Sequence, residues 1–209
     1  LTGQGALSAV ITIDALAASR GLRVLFEGLS LSIAAGEVIE LRGPNGSGKS
    51  TLLRILAGLT RPHAGEVRMS GAAAEAGLHY LGHLDAIKPS ETAAEQARFW
   101  ARFFGHDPDI AAPAMKRVGL SSRADVPGRG LSAGQKRRLA LARLLLDPRP
   151  VWLLDEPAAA LDTDGRRLAG ELVEEHRAAG GVVIAAIHGE GFAGARVVDL
   201  SDLKAKARP

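Results

Sequence analysis

The sequence predicts an α/β fold around a mainly parallel sheet, and three observations predict it. Gly43-Pro44-Asn45-Gly46-Ser47-Gly48-Lys49-Ser50-Thr51 fits the phosphate-binding pattern G-x-x-x-x-G-K-[ST] without a mismatch. A strand-like run (EVIELR, 37–42) precedes it and a helix-like run (STLLRILA, 50–57) follows, which is the setting in which a P-loop has physical meaning. Two apolar runs, VWLLD at 151–155 and VVIAAI at 182–187, read as strands buried on both faces. Helical runs separate these strands, and that alternation builds a parallel sheet. At 209 residues and 46% hydrophobic content, the chain holds enough apolar surface for a sizeable core.

In chain order, a β-branched run at 7–17 (LSAVITIDALA) and an alternating run at 28–34 (GLSLSIA) predict two strands. Ala35-Gly36 turns the chain into the P-loop strand, so the opening is expected to be antiparallel. Gly58 ends the P-loop helix, and EVRM (66–69) and LHYL (78–81) are short strands, with Gly82-His83 at the exit of the second. The middle of the chain, 90–126, has a different texture. Ser90 reads as the N-cap of a helix over 91–104, and a second helix, roughly 108–118, follows Asp107-Pro108. Four of the eight aromatics, Phe99, Trp100, Phe103 and Phe104, fall on the first helix as i,i+4 pairs. Two readings of them stay open: the core of a small helical unit, or part of a groove for a partner. A loop at 127–130 leads into an amphipathic helix over 133–147. A charged helix over 163–179 is broken by Gly180-Gly181, and a last strand spans 195–200. The tail, 201–209, is polar and too short for a domain.

Composition excludes several classes. The balance of 26 basic and 23 acidic residues gives +3, too small to argue for nucleic acid. There is no cysteine, hence no disulfide, thiolate metal site or cysteine nucleophile, which suits the cytosol. No run of about 18 apolar residues is present to span a membrane, and no signal peptide is visible. His63, His79, His83, His106 and His176 have no metal-ligand spacing with one another.

The chemistry begins at the P-loop. Successive backbone N–H groups and a helix N-terminus surround an oxyanion, and Gly43, Gly46 and Gly48 let the backbone approach it. Lys49 reaches the β- and γ-phosphates, and the Ser50 hydroxyl is a ligand for Mg²⁺. Asp155 ends a buried strand, where a carboxylate beside a P-loop holds the Mg²⁺ shell. Glu156, the next carboxylate, is placed to act as general base on the attacking water. The plainer alternative is an Asp-Glu pair capping the turn before Pro157. His188, after strand 182–187, is expected to contact the γ-phosphate and position water; alone it would read as a surface histidine. Ser132 with Gly134 opens the helix 133–147 as a second anion-binding end, which suggests two chains sharing one nucleotide.

Leu131-Ser132-Ala133-Gly134-Gln135 resembles the signature of ABC ATPases, usually LSGGQ, and lies between the P-loop and VWLLDE as it does in that family. Ala159-Ala160-Leu161-Asp162 resembles the family's D-loop, and His188 its switch histidine. The resemblance covers nearly the whole chain. It implies a P-loop NTPase (RecA-like) core with an antiparallel β subdomain and a helical subdomain at about 88–145, in a single ABC ATPase domain over 1–209. It also implies a head-to-tail homodimer in which ATP lies between residues 43–51 of one copy and 131–135 of the other, and transmembrane partner subunits at the cytoplasmic face of the inner membrane. Within the family the chain is most similar to ATP-binding subunits of haem exporters used in cytochrome c maturation. Tyr80-Leu81-Gly82-His83, Ile87-Lys88, Arg98-Phe99-Trp100 and the tryptophan of VWLLDEP carry that likeness. The alternatives are another exporter's ATPase, for lipoprotein or drug, and an ABC ATPase acting on nucleic acid or ribosomes. Two positions depart from the family pattern. His83 stands where a glutamine is usual, and Arg20 stands where many members stack an aromatic on adenine, a role its planar guanidinium could take.

Overall fold

The computed structural model describes residues 9–203, with Ala9 described by its backbone alone. Strand β1 (Ala9–Arg20) pairs antiparallel with β2 (Arg23–Ala34) on one side and β4 (Ala64–Met69) on the other. The P-loop strand β3 (Val38–Arg42) joins β5 (Leu78–Leu81), β6 (Val151–Asp155), β7 (Val182–Ala186) and β8 (Arg196–Asp199) in a second sheet, ordered β5-β6-β7-β3-β8. All four pairings in that sheet are parallel, as the apolar runs require.

Among the described residues six α-helices accompany them: α1 (Lys49–Leu56), α2 (Ala72–Ala76), α3 (Ala93–Phe103), α4 (Ala111–Arg117), α5 (Ala133–Leu145) and α6 (Thr163–Ala178). The parallel sheet separates two cores. Ile39, Leu41, Leu153 and Ile184 face Leu52 and Leu53 of α1 and the inner residues of the antiparallel sheet, Ile11, Leu16 and Phe26 among them. Trp152, Leu154, Val183 and Ala185 face the opposite layer, built from α3, α4, α5 and α6. Successive residues of β6 enter different cores, so every position of VWLLD is buried. Truncating a core leucine such as Leu153 to alanine removes about 2–5 kcal/mol. Trp152 also lies flat on His176 of α6, ring centroids 3.9 Å apart, and burial pushes the His176 imidazole down to about 4.

Several expectations shift. Residues 7–8 of the first predicted strand lie outside the described residues, and β1 runs on to Arg20. The second strand begins at Arg23, because Gly21 takes φ +60° and closes a two-residue hairpin. The N-cap of the first middle helix is Thr92, not Ser90. Thr92 Oγ accepts the Glu95 N–H (3.2 Å) while the Thr92 N–H donates to Glu95 Oε2 (2.7 Å), a reciprocal capping box that Ser90 does not form. The second helix starts as a 3-10 turn, Pro108–Ile110, before α4. Helix α2 was not foreseen. The tail begins with a 3-10 turn, Leu200–Leu203, anchored by fully buried Leu200; residues 204–209 lie outside the described residues.

The four aromatics are not the core of the helical layer. Ala93, Ala97 and Ala101 form the buried stripe of α3, and their small size lets it approach α4 and α5 closely. Phe99 and Phe103 are exposed, at 38% and 66%, while Trp100 and Phe104 are half-buried. Lys88 sits 4.8 Å over Phe99 and Arg143 5.0 Å over Trp100, so two cations flank an outward aromatic face.

Candidate functional site

Strands β6, β7 and β3 are adjacent, so their C-terminal ends bring Asp155, Glu156, His188 and the P-loop to one edge of the sheet. Ligands bind at such an edge in open α/β sheets.

Helix α1 starts at Gly48 (φ +108°) with no side-chain cap. A Cβ on Gly48 would lie 2.9 Å from Phe26 Cδ1, and one on Gly43 2.9 Å from Ser47 Oγ. The antiparallel sheet thus supports the loop from below, and only glycine fits. Lys49 Nζ donates to the carbonyls of Gly43 (2.7 Å) and Pro44 (3.2 Å). Burial pushes its ammonium below the ordinary lysine value, against the nearby charges of Glu156, Asp155 and Asp199. Pro44, Asn45, Gly46 and Ser50 are exposed around the cradle and Thr51 is half-buried. Ser47 Oγ is buried without a hydrogen-bond partner.

Asp155 is buried at the end of β6. Glu156 then takes φ +53°, a left-handed conformation that costs a non-glycine residue about 1–3 kcal/mol. Its carboxylate lies between two imidazoles, with Oε1 3.6 Å from His188 Nε2 and Oε2 4.0 Å from His83 Nδ1. The loop after His188 is tied back to the P-loop strand. Buried Glu40 accepts from the Phe192 N–H and from Arg42, whose Nη1 reaches the Gly189 carbonyl (3.2 Å).

Ser132 caps α5. Its Oγ accepts the Gln135 N–H (3.2 Å), and its N–H donates to Gln135 Oε1 (3.0 Å). A Cβ on Gly134 would lie 2.9 Å from the Ala160 carbonyl, so only glycine lets the D-loop turn cross this close. A cavity of about 630 Å³ opens there, lined in part by Arg123, Ser132, Gly134, Arg138 and Asp162. No P-loop residue lines it. Among the described residues, neither Ser132 nor Gly134 shares this cavity or a hydrogen bond with a P-loop residue. Arg20 is exposed beside Arg23 at the tip of the β1–β2 hairpin.

The cradle fits a Mg²⁺–nucleotide. The loop has glycines where a Cβ would clash, an uncapped helix end and an orphaned buried hydroxyl at Ser47. Among the described residues no group of three or more His, Cys, Asp or Glu could hold a metal alone.

Sequence reasoning missed Arg137, Asp85, Glu40, Arg42 and Asp199. Arg137 stands in the signature helix beside Arg138, and only the fold shows which of the two is buried. Asp199, the last residue of β8, accepts from the Ser201 N–H and hydroxyl, which hold its carboxyl below the usual range, with Lys49 adding to the effect. It is one of a cluster of charged groups facing the P-loop lysine.

Fold and site together define an ATPase of the P-loop class. The ABC transporter family profile matches residues 26–159, and the chain belongs to that family. It is 49% identical over 179 residues to the cytochrome c biogenesis ATP-binding export protein CcmA of Hyphomonas neptunium, covering 86% of this chain and 90% of that one. The protein of the same name from Paramagnetospirillum magneticum is 50% identical over 188 residues, covering 84% and 86%. That of Rhizobium meliloti is 46% identical over 198 residues, covering 90% and 96%. Among solved structures, an ABC transporter ATP-binding protein from Pyrococcus furiosus superposes with a TM-score of 0.80 at 22% identity, over 93% of this chain and 99% of that one. Another ATP-binding subunit of an ABC transporter gives 0.74 at 22% identity, over 85% and 79%. These two likenesses concern the fold alone.

Proposed function

We propose that this chain is the ATP-hydrolysing motor subunit of an ABC exporter serving cytochrome c biogenesis, with haem as the cargo. The extended identity to export proteins of that process supports the assignment. The observation that carries hydrolysis is Glu156, the residue after buried Asp155, held 3.6 Å from His188 beside Lys49.

In this reading Lys49 leaves the Gly43 and Pro44 carbonyls and meets the β- and γ-phosphates of ATP, while the N–H groups of 43–51 surround the phosphate oxygens. Ser50 and Asp155 would hold Mg²⁺, which supplies charge neutralisation at those oxygens when bound. Glu156 accepts the proton of the attacking water, and His188 orients that water against the γ-phosphate. Arg20 stacks on the base. Ser132 and Gly134 of a second copy, related head to tail, complete the site. The cavity at the α5 end, lined by Ser132 and Gly134 and by no P-loop residue, leaves room for that sharing.

No helix among the described residues is long and apolar enough to cross a membrane. In this reading the motor is peripheral and works on transmembrane subunits from the cytoplasmic face of the inner membrane, as the likeness to export proteins supports. The outward face of Phe99 and Phe103, in a helical subdomain of about 88–145, and the exposed loop at His83 are the docking surface. The formal charge of +3 offers little to nucleic acid.

Glu156→Gln tests the chemistry. ATP binding is expected to persist while phosphate release falls by about 10²–10⁴. Near-normal turnover would remove Glu156 from the base role.

A further inference from the structure

Arg137 does something its neighbour does not. Arg138 points outward, to Asp162 (2.8 Å) and the Val118 carbonyl (3.4 Å). The Arg137 side chain is only 3% exposed and every N–H of its fork has an acceptor nearby. Nη2 donates to the carbonyls of Asp155 (2.5 Å) and Glu156 (2.6 Å), and Nε to that of Pro157 (3.3 Å). Nη1 donates to the Gly82 carbonyl (3.1 Å) and to Asp85 Oδ1 (2.8 Å).

Three consecutive carbonyls, 155–157, converge on one cation across the left-handed turn at Glu156. The Glu156 N–H is already held by the Ala186 carbonyl of β7 (3.0 Å). Its peptide groups are therefore held from two directions, by β7 and by α5. Asp85 fixes the far edge of the guanidinium from the loop after β5. A lysine carries the same charge but has one donor centre and no planar fork.

We propose that Arg137 is a positioning residue for hydrolysis: its guanidinium, oriented by Asp85, holds Glu156 in the left-handed conformation that turns the carboxylate toward His188. This rests on Glu156 being the general base. Arg137 touches neither nucleotide nor water in this scheme; it acts on where Glu156 stands. A displacement of the order of 1 Å in such a group costs about 10²-fold in rate.

The test compares Arg137→Lys and Asp85→Asn with the unaltered protein. Steady-state phosphate release gives kcat and KM, a fluorescent ATP analogue gives Kd, and thermal melting reports folding. For Arg137→Lys kcat is expected to fall by about tenfold or more, and for Asp85→Asn by about threefold, with KM and Kd within about twofold of the unaltered protein. Unchanged kcat in a folded Arg137→Lys variant overturns the proposal. So does a parallel loss of binding and turnover, which marks a merely structural residue. Should Arg137→Lys fail to fold, Asp85→Asn decides alone, and unchanged kcat there overturns the proposal. Glu156→Gln measured alongside separates the two failures. If it stays active, the base assignment falls and takes this inference with it. If it is inactive while both other variants turn over normally, only the inference falls.

Discussion

Helices α1 and α5 both present an N-terminus suited to an anion, and they are finished in opposite ways. The α1 end has Gly48 at its cap and no side chain bonded to its first N–H groups. The α5 end is closed by Ser132 and Gln135, each bonded to the other's backbone. An uncapped end forgoes about 1 kcal/mol of helix stability. In return the orphan donors of α1 face the loop's ligand with no competitor from its own chain. The α5 end is satisfied by itself, and an anion arriving there adds to a finished structure. Helix α3 is the internal control: Thr92 and Glu95 make the same box as Ser132 and Gln135, yet neither Gly134's counterpart nor the D-loop turn stands beside it. The difference teaches that the cap motif is common to both helices and that the surroundings of α5 set it apart.

Substitutions break this comparison in order of size. Gly48→Ala forces a Cβ into φ +108° against Phe26 and so distorts the open end. It is expected to weaken ATP binding about a hundredfold and to lower stability by about 1–3 kcal/mol, read by nucleotide titration and denaturant unfolding. Ser132→Arg fills the α5 end instead. Binding of ATP to the single chain is expected to remain near normal while the ATP-dependent dimer disappears from light scattering; a persisting dimer would sink the shared site. Ser132→Ala and Thr92→Ala each remove one box, and both should lose about 1 kcal/mol in unfolding experiments. Only the first should also slow phosphate release. If Thr92→Ala slows it equally, the two ends are not functionally distinct. The smallest effect is in acid. Glu95 accepts from the Thr92 N–H, and this bond holds its carboxyl below the ordinary carboxylate range. The depressed value means its contribution is present above the unfolded carboxylate range and lost as pH falls through the folded value. Gln135 does not titrate. An NMR acid titration should therefore move the Thr92 amide and leave that of Ser132 still.

What the sequence revealed, and what it hid, follows the range of the interactions. The P-loop and the acidic end of VWLLDE are contiguous patterns, and His188 follows an apolar run; the structure brings all three to one edge of the sheet. Strand β6 was legible because both faces are buried, which leaves an unbroken apolar run. Ser90 was mistaken for a cap because Ser90 and Thr92 are both competent cap residues, and the choice lay in whether Glu95 could reach back. The aromatics of α3 stayed ambiguous because periodicity finds a face without saying how deeply it is buried; Trp100 and Phe104 pack against the core beside the alanine stripe, while Phe99 and Phe103 are left outside. Arg137 was illegible in LSAGQKRR, since its partner Asp85 lies 52 residues earlier and its other acceptors are carbonyls, which have no residue type. Glu40 reads as an ordinary strand charge until the Phe192 N–H, 152 residues later, meets it.

The position of β3 has a consequence for how the protein is made. The P-loop strand emerges from the ribosome early, but its two sheet neighbours are β7 and β8, formed by residues 182–186 and 196–199. Until those are synthesised, VIELR has an unpaired edge on each side and no partner for its backbone hydrogen bonds. The antiparallel sheet, complete once residue 69 is out, can form first and shelter one face of that strand. The parallel sheet closes around the nucleotide loop only when nearly the whole chain is present. A translating ribosome paused before residue 182 is therefore expected to carry a chain with its antiparallel layer folded and its ATP site unmade.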